Sequence, residues 1–420
     1  MSSEKRPARR AALRLIAGVV ERGELLSDLT ARPAFADMPP SERATARRLA
    51  LDTLRGIDRA DRILLRHLRK RPPLPLLNLL RLGTVELCTG GAAHGVVDDL
   101  VEMVSQPKRR AMVNAVLRKV ADEDLRRWND LRIPRLPGWL RDPLVAAWGK
   151  GAVSAMEKAH FAGAPLDLTA RDDPAALAER LGGVLLPTRS VRLSDAGQVS
   201  ALPGYDEGAW WVQDAAAALP ARLLAPQPGE RVLDLCAAPG GKTLQLAAAG
   251  AEVMALDISD KRMHRVRENL ARTGLNATCI TADALTHDDG PYDAILVDAP
   301  CSATGTIRRH PDLPHARDGS EFTTLFALQE RMIDHALTLL RPGGRLVFCT
   351  CSLLPDEGEC QVEAALARHP GLVADPAALD LPGVDPAWIT EEGGLRLRPD
   401  YWPDAGGMDG FYMAVLRLPG

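Results

Sequence analysis

From about residue 206 onward, short apolar runs recur at 231–236, 252–257, 278–282, 293–298 and 345–350, with helical stretches such as Lys261 to Thr273 and Thr323 to Leu340 between them. Strands that alternate with helices in this way imply a parallel, doubly wound α/β sheet with right-handed crossovers. Pro342-Gly343-Gly344 reads as a turn feeding the fifth strand, and Phe411 to Leu416 as one more strand closing the domain. In an open sheet of this kind, ligands bind outside the C-terminal ends of the strands. The residues placed there decide what the chain can do.

Three motifs at strand ends carry most of the chemistry. The run Val232-Leu233-Asp234-Leu235 leads into Cys236-Ala237-Ala238-Pro239-Gly240-Gly241-Lys242-Thr243, a glycine-rich turn opening a helix. Glycines let the backbone approach a ligand closely, and a helix N-terminus offers free N–H groups. Asp257 ends the next strand, where an acid suits a ribose diol, and Asp283 and Asp298 end the third and fourth. Three acids around one crevice fit a ligand with a ribose, an adenine amine and a positive charge. The other readings of the turn fit less well. Gly241-Lys242-Thr243 resembles the end of a P-loop, but Cys236 stands where that loop needs glycine, and no G-x-G-x-x-G is present.

The other two strand ends deliver thiols: Ile295-Leu296-Val297-Asp298-Ala299 runs into Pro300-Cys301, and Leu346-Val347-Phe348-Cys349 into Thr350-Cys351-Ser352. A thiolate is the strongest common protein nucleophile, so the pair suggests covalent catalysis. Cys88, Cys279 and Cys349 read as small buried hydrophobes and Cys360 as an uninformative helix residue. The Cys349-x-Cys351 spacing is too short for a usual zinc site and no histidine pair accompanies it, so no metal is expected.

The front of the chain differs. Residues 5–132 read as all-helical: Leu13, Ile16, Ala17, Val20 and Val97, Leu100, Val101, Val104 each fall on one helix face, and Arg71-Pro72-Pro73-Leu74-Pro75 breaks one helix from the next. Residues 1–135 hold 27 Lys+Arg against 17 Asp+Glu, a net of +10, while the remainder holds 25 against 38, a net of −13. A basic front on an acidic body points to a polyanionic partner. Ile133-Pro134-Arg135-Leu136-Pro137 reads as a linker. Between it and the catalytic domain, Trp139 and Trp148 suggest a short helix, Leu166 to Arg171 a strand and Pro174 to Leu181 a helix. The expected domains are therefore 1–133, 134–205 (a small α+β segment) and 206–420. No apolar run approaches the ~20 residues of a membrane span, and the seven cysteines suit free thiols in a reducing compartment, so a cytoplasmic protein is expected.

The strings Asp234 to Thr243, Asp298-Ala299-Pro300-Cys301-Ser302-Ala303-Thr304-Gly305 and Thr350-Cys351-Ser352 resemble the signature set of the RsmB/Nop2/Sun family, S-adenosylmethionine-dependent RNA cytosine-C5 methyltransferases. Ile307-Arg308-Arg309-His310-Pro311-Asp312 extends the second string as in the bacterial 16S ribosomal RNA group. Met112-Val113-Asn114-Ala115-Val116-Leu117-Arg118 is similar to the NusB-type RNA-binding domain that group carries. The middle segment departs from the pattern: where relatives show an arginine-valine-asparagine strand end, this chain has Leu168-Thr169-Ala170-Arg171.

The resemblance implies a class I methyltransferase domain behind a NusB-like front, with S-adenosylmethionine held by Cys236, Ala237, Ala238, Pro239, Gly240, Gly241, Lys242, Asp257, Asp283 and Asp298. It implies Cys351 as nucleophile and Cys301 as the thiol that assists product release. In DNA cytosine methyltransferases the nucleophile belongs to a Pro-Cys motif, so Cys301 competes for the first role. Cytosine C5 is too electron-poor to attack a methyl group unaided, and thiolate addition at C6 makes C5 nucleophilic. Asp298 is the acid expected beside N3. The expected partner is RNA, 16S rRNA deproteinised or early in assembly, with the enzyme a monomer. A tRNA cytosine methyltransferase and a non-catalytic RNA-binding assembly factor of the same fold are the alternatives. The target base must be unstacked or in a single-stranded loop to be reached.

Overall fold

The structure, a computed structural model, describes residues 6–194 and 197–420; residue 5, where the helical reading begins, lies outside them. The described residues form two compact units, one of residues 6–163 with 307–319 and the other of residues 164–194, 197–306 and 320–420.

The first unit is built from α1 (Arg6–Arg22), α2 (Pro40–His67), α3 (Leu74–Cys88), α4 (Ala93–Glu102), α5 (Pro107–Glu123) and α6 (Gly138–Ala162), with short helical turns between them. Proline opens or closely precedes α2, α3 and α5, where its fixed φ and missing N–H cost nothing. α3 is buried on every side and forms the centre of the bundle, packed by Leu15, Ile16 and Val19 of α1, Leu49, Leu54 and Ile63 of α2, and Val113 and Leu117 of α5. Gly83 allows that closeness: a Cβ there would stand 2.8 Å from both Leu100 Cδ1 and Leu117 Cδ2. The charged residues of α3 are paired rather than exposed. Arg81 binds Asp61 through both Nε (2.7 Å) and Nη2 (2.6 Å), and Glu86 takes Arg9.

The structure draws the domain boundary differently from the proline signal at 133–137. α6 belongs to the first unit, and the stretch before it is tied down by the Leu136 N–H on Glu157 Oε1 at 2.9 Å. The short helix expected around Trp139 and Trp148 is a 25-residue helix bent at Gly149 (φ 77, ψ 160). The excursion Ile307–Gly319 also joins this unit. Asp312 accepts the Leu26 N–H (2.9 Å), and the Arg308 carbonyl accepts from Arg55 Nη2 (3.1 Å). The extension of the second cysteine motif thus belongs by contact to the helical unit.

The second unit starts with a small antiparallel sheet of β1 (Leu166–Ala170), β2 (Val184–Leu185), β3 (Val191–Leu193) and β4 (Trp210–Val212), in the order β2-β3-β1-β4, with α7 (Pro174–Leu181) against it. Asp173 caps α7 by accepting the Ala175 N–H at 2.8 Å, and Gly182 ends it in the left-handed region. After α8 (Leu219–Leu224) come β5 (Arg231–Leu235), α9 (Gly241–Ala248), β6 (Glu252–Asp257), α10 (Asp260–Thr273), β7 (Thr278–Thr281), β8 (Tyr292–Asp298), α11 (Phe322–Thr338), β9 (Leu340–Thr350), α12 (Glu359–Arg368), β10 (Val373–Ala374), β11 (Leu395–Leu397) and β12 (Phe411–Arg417).

The large sheet has the order β10-β12-β9-β8-β5-β6-β7, with β11 beside β12. Strands β5 to β9 pair in parallel, as the rhythm of runs implied, and β12 is antiparallel to β9. Pro342-Gly343-Gly344 lies inside β9 rather than before it: Leu340 pairs with Tyr292 and Arg345 with Ala294, so the residues between bulge out of the ladder. Strand order reverses at β5, whose neighbours are β6 and β8. That switch point opens a crevice at the strands' C-terminal ends.

Candidate active site

The chain turns sharply where β5 ends. Cys236 has φ 63 and Gly240 φ 102, and α9 begins at Gly241. A side chain on Gly240 would sit in a left-handed backbone and 3.2 Å from Val266. Asp257, buried at the end of β6, holds this loop: its Oδ2 accepts the Ala238 N–H (3.2 Å) and its Oδ1 the Ser259 N–H (2.9 Å). A carboxylate offers about four acceptor positions, so lone pairs remain for a diol. Asp283 sits two residues beyond β7, exposed, with its Oδ1 accepting the Leu285 N–H at 3.0 Å.

Beneath the loop, Asp234 is fully buried. It accepts from Thr243 Oγ1 at 2.6 Å, and its other oxygen has no partner. Burial pushes its carboxyl up to about 7. An unpaired acid under a glycine loop suits a ligand with a positive end. Asp234 belongs to the sequence motif, but no local signal sets it apart from the strand around it.

Lys242, the second residue of α9, reaches Asp298 at the end of β8, Nζ to Oδ2 2.7 Å. Burial alone would lower the lysine, but the charge of Asp298 outweighs it and the ammonium is held above its ordinary range. Asp298 keeps 30% of its side chain exposed, so the pair is closed on one side and open on the other. Its second oxygen lies 3.5 Å from Cys349 Sγ.

The two motif thiols meet. Cys301 Sγ and Cys351 Sγ are 3.4 Å apart, although fifty residues separate them. β8 and β9 are adjacent and parallel, with Asp298 level with Cys349, so each cysteine leaves its strand at the same height. The hydrogen bond with Cys351, followed by burial, pushes the Cys301 thiol well up, and Cys301 keeps its proton. Burial raises Cys236 and Cys349 too, which fits packing roles.

A buried acid outside the motifs sets this geometry. Glu357 accepts the Ser302 N–H (2.9 Å) and Ser302 Oγ (2.5 Å), while its own carbonyl accepts from Thr350 Oγ1 (2.8 Å). Gln329 Nε2 on α11 bridges Glu357 (3.0 Å) and the Pro300 carbonyl (2.9 Å). Ser302, Thr304 and Ser352 join hydroxyls at 3.2 Å. Both cysteine turns are thereby fixed to one glutamate, the first by its carboxylate and the second by its backbone carbonyl. Gly305 completes the packing, because a Cβ there would stand 2.0 Å from the Gly410 carbonyl.

Among the described residues no helix is long and apolar enough to cross a membrane, and no cluster of three or more His, Cys, Asp or Glu is disposed to hold a metal ion.

A doubly wound sheet with a glycine loop and strand-end acids at its switch point defines an α/β domain that binds a nucleoside-type ligand. Residues 221–417 match the family described as 16S rRNA methyltransferase RsmB/F, and residues 6–122 match the NusB family. The ribosomal RNA small subunit methyltransferase B of Xanthomonas campestris is 38% identical, over 88% of this chain and 90% of that protein. That of Sodalis glossinidius is 35% identical, over 86% and 89%. The chain belongs to the RsmB/F methyltransferase family, with a NusB domain at its front. Among solved structures, a methyltransferase homologue from Pyrococcus horikoshii is 28% identical, with a TM-score of 0.56 over 66% of this chain and 93% of its own. The structure named PH0851 shares the fold over 99% of both chains, with a TM-score of 0.75 at 22% identity.

Proposed function

We propose that the chain transfers the methyl group of S-adenosylmethionine to C5 of a cytosine in 16S rRNA, through a bond between Cys351 Sγ and C6 of the base that Cys301 helps to break. The observation that carries this reading is the meeting of two thiols at 3.4 Å beside an open Lys242–Asp298 pair. The relatives' names support the RNA substrate, and the geometry supports the covalent chemistry.

The residues present fit the cofactor. The turn Cys236 to Gly241 and Lys242 at the start of α9 would line it, Asp257 would take its ribose hydroxyls, Asp283 would stand at the rim, and the orphaned oxygen of Asp234 answers a cationic group. When bound, the cofactor supplies an electrophilic methyl on a sulfonium.

The chain's residues do the rest. The Cys351 thiolate adds to C6, and the electron pair of the C5=C6 bond moves onto C5. Asp298, paired with Lys242, accepts from the N4 amine and from a base protonated at N3. After methyl transfer the C5 proton passes to a solvent water, the electron pair of the C5–H bond re-forms C5=C6, and the S–C6 bond breaks with its electron pair leaving on sulfur. Cys301, still carrying its proton, is placed to donate to the departing sulfur. Glu357 and Gln329 keep the two turns in register while the base enters. The enzyme acts in the cytoplasm as a monomer, on RNA that is deproteinised or early in assembly and therefore has accessible loops.

The test is a denaturing gel of wild type, Cys301→Ala and Cys351→Ala, each with S-adenosylmethionine and deproteinised small-subunit RNA. A covalent protein–RNA band in Cys301→Ala and none in Cys351→Ala is expected. The reversed pattern exchanges the two roles, and methyl transfer by Cys351→Ala at the wild-type rate rejects the adduct. A parallel lane with tRNA decides the substrate.

A further inference from the structure

Away from the crevice, the second unit carries a groove of about 440 Å³ between the small sheet and the ends of α8 and α9. Three arginines line it, Arg171, Arg189 and Arg222, against a single carboxylate, Asp172, which is already tied to Arg171 at 3.0 Å. Among the described residues, neither Arg189 nor Arg222 has an ion-pair partner. Arg222 spends one nitrogen on the Thr188 carbonyl. Burial, and then the charge of Arg189 nearby, lowers Arg222, as befits two like charges facing each other uncompensated.

Two further observations point to a ligand. Thr188 and Ser190, each 2% exposed, line the same groove, and neither hydroxyl has a partner. Buried hydroxyls are normally satisfied, so each one left over needs an explanation. The turn that presents them is built tightly. It joins β2 to β3, with the Leu186 N–H on the Ser190 carbonyl and the Arg189 N–H on the Leu186 carbonyl, both at 2.8 Å. Arg189 sits at its tip with φ 62, a conformation that strains an arginine and would not strain a glycine. The turn keeps a charged side chain where the backbone favours none.

We infer that this groove binds a phosphodiester of the RNA substrate, with Arg189 and Arg222 supplying charge and Thr188 and Ser190 hydroxyl donors. The inference rests on the proposed action on RNA. Arginines and hydroxyls are the usual partners of backbone phosphates, and such contacts position a strand without reading its sequence. α9 starts at the cofactor loop and its last turn lines the groove, so the two lie on the order of 12 Å apart, the length of an eight-residue helix.

The test uses the full chain and two variants, Arg189→Gly and Arg222→Gln. Glycine accepts the φ of position 189, so Arg189→Gly is expected to melt at or above the wild-type temperature. Affinity for deproteinised 16S rRNA is measured by fluorescence anisotropy from 50 to 300 mM KCl, together with methyl transfer. Each variant is expected to bind roughly 3- to 10-fold more weakly, and the slope of log affinity against log salt to become shallower by about 0.7–1, the value for one phosphate that is no longer neutralised. KM for RNA rises while kcat at saturating RNA stays unchanged. Wild-type affinity and slope in both variants would overturn the site and leave the methyltransferase reading standing, provided the wild type methylates the RNA. A wild type that neither binds nor methylates RNA would bring down both. Inorganic phosphate at matched ionic strength is the control: if it stabilises the wild type but not the variants, while RNA binding is alike in all three, the groove takes free phosphate and the RNA assignment falls.

Discussion

Both units bury positive side chains against carboxylates, and they do so to different ends. In the helical unit, Arg9 is 4% exposed and gives Nε and Nη2 to Glu86 at 2.8 and 2.7 Å, and Nη1 to Asp99 and the Gly95 carbonyl. Arg59 is spent in the same way on the carbonyls of Trp128, Leu131 and Arg132. In the catalytic unit, Lys242 meets Asp298 at 2.7 Å, yet the carboxylate keeps nearly a third of its surface open at the strand ends. A closed network fixes the geometry of a core; an open one leaves an acceptor for something that is not protein. Burial of charge does not by itself mark a site, and the difference lies in whether a face of the pair remains available.

The sharpest way to test that contrast is to remove one member from each kind. Cys351→Ala, at the open site, is expected to lose methyl transfer by roughly 10⁴-fold or more, as when a covalent nucleophile is deleted, with the unfolding midpoint nearly unmoved. Arg9→Met should do the reverse. It strands two buried carboxylates and is expected to cost about 3–5 kcal/mol in a urea titration, while turnover per folded molecule at saturating RNA holds. Asp298→Asn comes next, with a loss of about 10²-fold or more in kcat and a small change in stability. If Asp298→Asn unfolds the protein as readily as Arg9→Met, the open pair is structural and the contrast fails.

What the sequence made legible follows the same division. The strand ends were readable because apolar runs and glycine turns are local signals: β5, β6, β8 and β9 fall where the runs do, and both cysteine motifs end their strands. The meeting of Cys301 with Cys351 was not readable, because alternation gives parallel strands but not their order: β8 and β9 are neighbours while the equally consecutive β7 and β8 are not. Glu357 was not readable, because a glutamate is the same letter whether it lies exposed on a helix or, as here, fully buried across two turns. Nor was the boundary of the helical unit. The prolines at 133–137 look like a linker, but the Leu136 N–H and Arg141 both hold Glu157 of α6 and bring the chain back to the bundle. The excursion 307–319 joins that bundle through contacts such as Asp312 with Leu26, nearly three hundred residues apart, which no local pattern announces.

A smaller effect sharpens the comparison through pH, because the two units bury one mismatched group each with opposite signs. In the helical unit His160 is buried, with neither ring nitrogen partnered, and burial, then Arg308 and Arg55, holds it down to about 3. A base depressed in the fold contributes stability that is complete above its unfolded value of 6.5 and is lost as pH falls through 6.5 toward 3. Asp234 in the catalytic unit is raised from 3.8 to about 7, so its contribution is complete below 3.8 and is lost as pH rises toward 7. Each titration is worth up to about 1.4 kcal/mol per pH unit inside its window. Between about pH 4 and 6.5, therefore, acid weakens the helical unit through His160 and strengthens the catalytic unit through Asp234. Urea titrations of wild type, His160→Leu and Asp234→Asn at pH 4.5, 6 and 8 check this. His160→Leu is expected to lose less stability than wild type on going from pH 6 to 4.5, and Asp234→Asn to gain most over wild type at pH 8. Curves that run parallel to wild type for both variants would mean that water reaches these groups in the folded protein, and that neither unit carries the penalty of a buried ionisable residue.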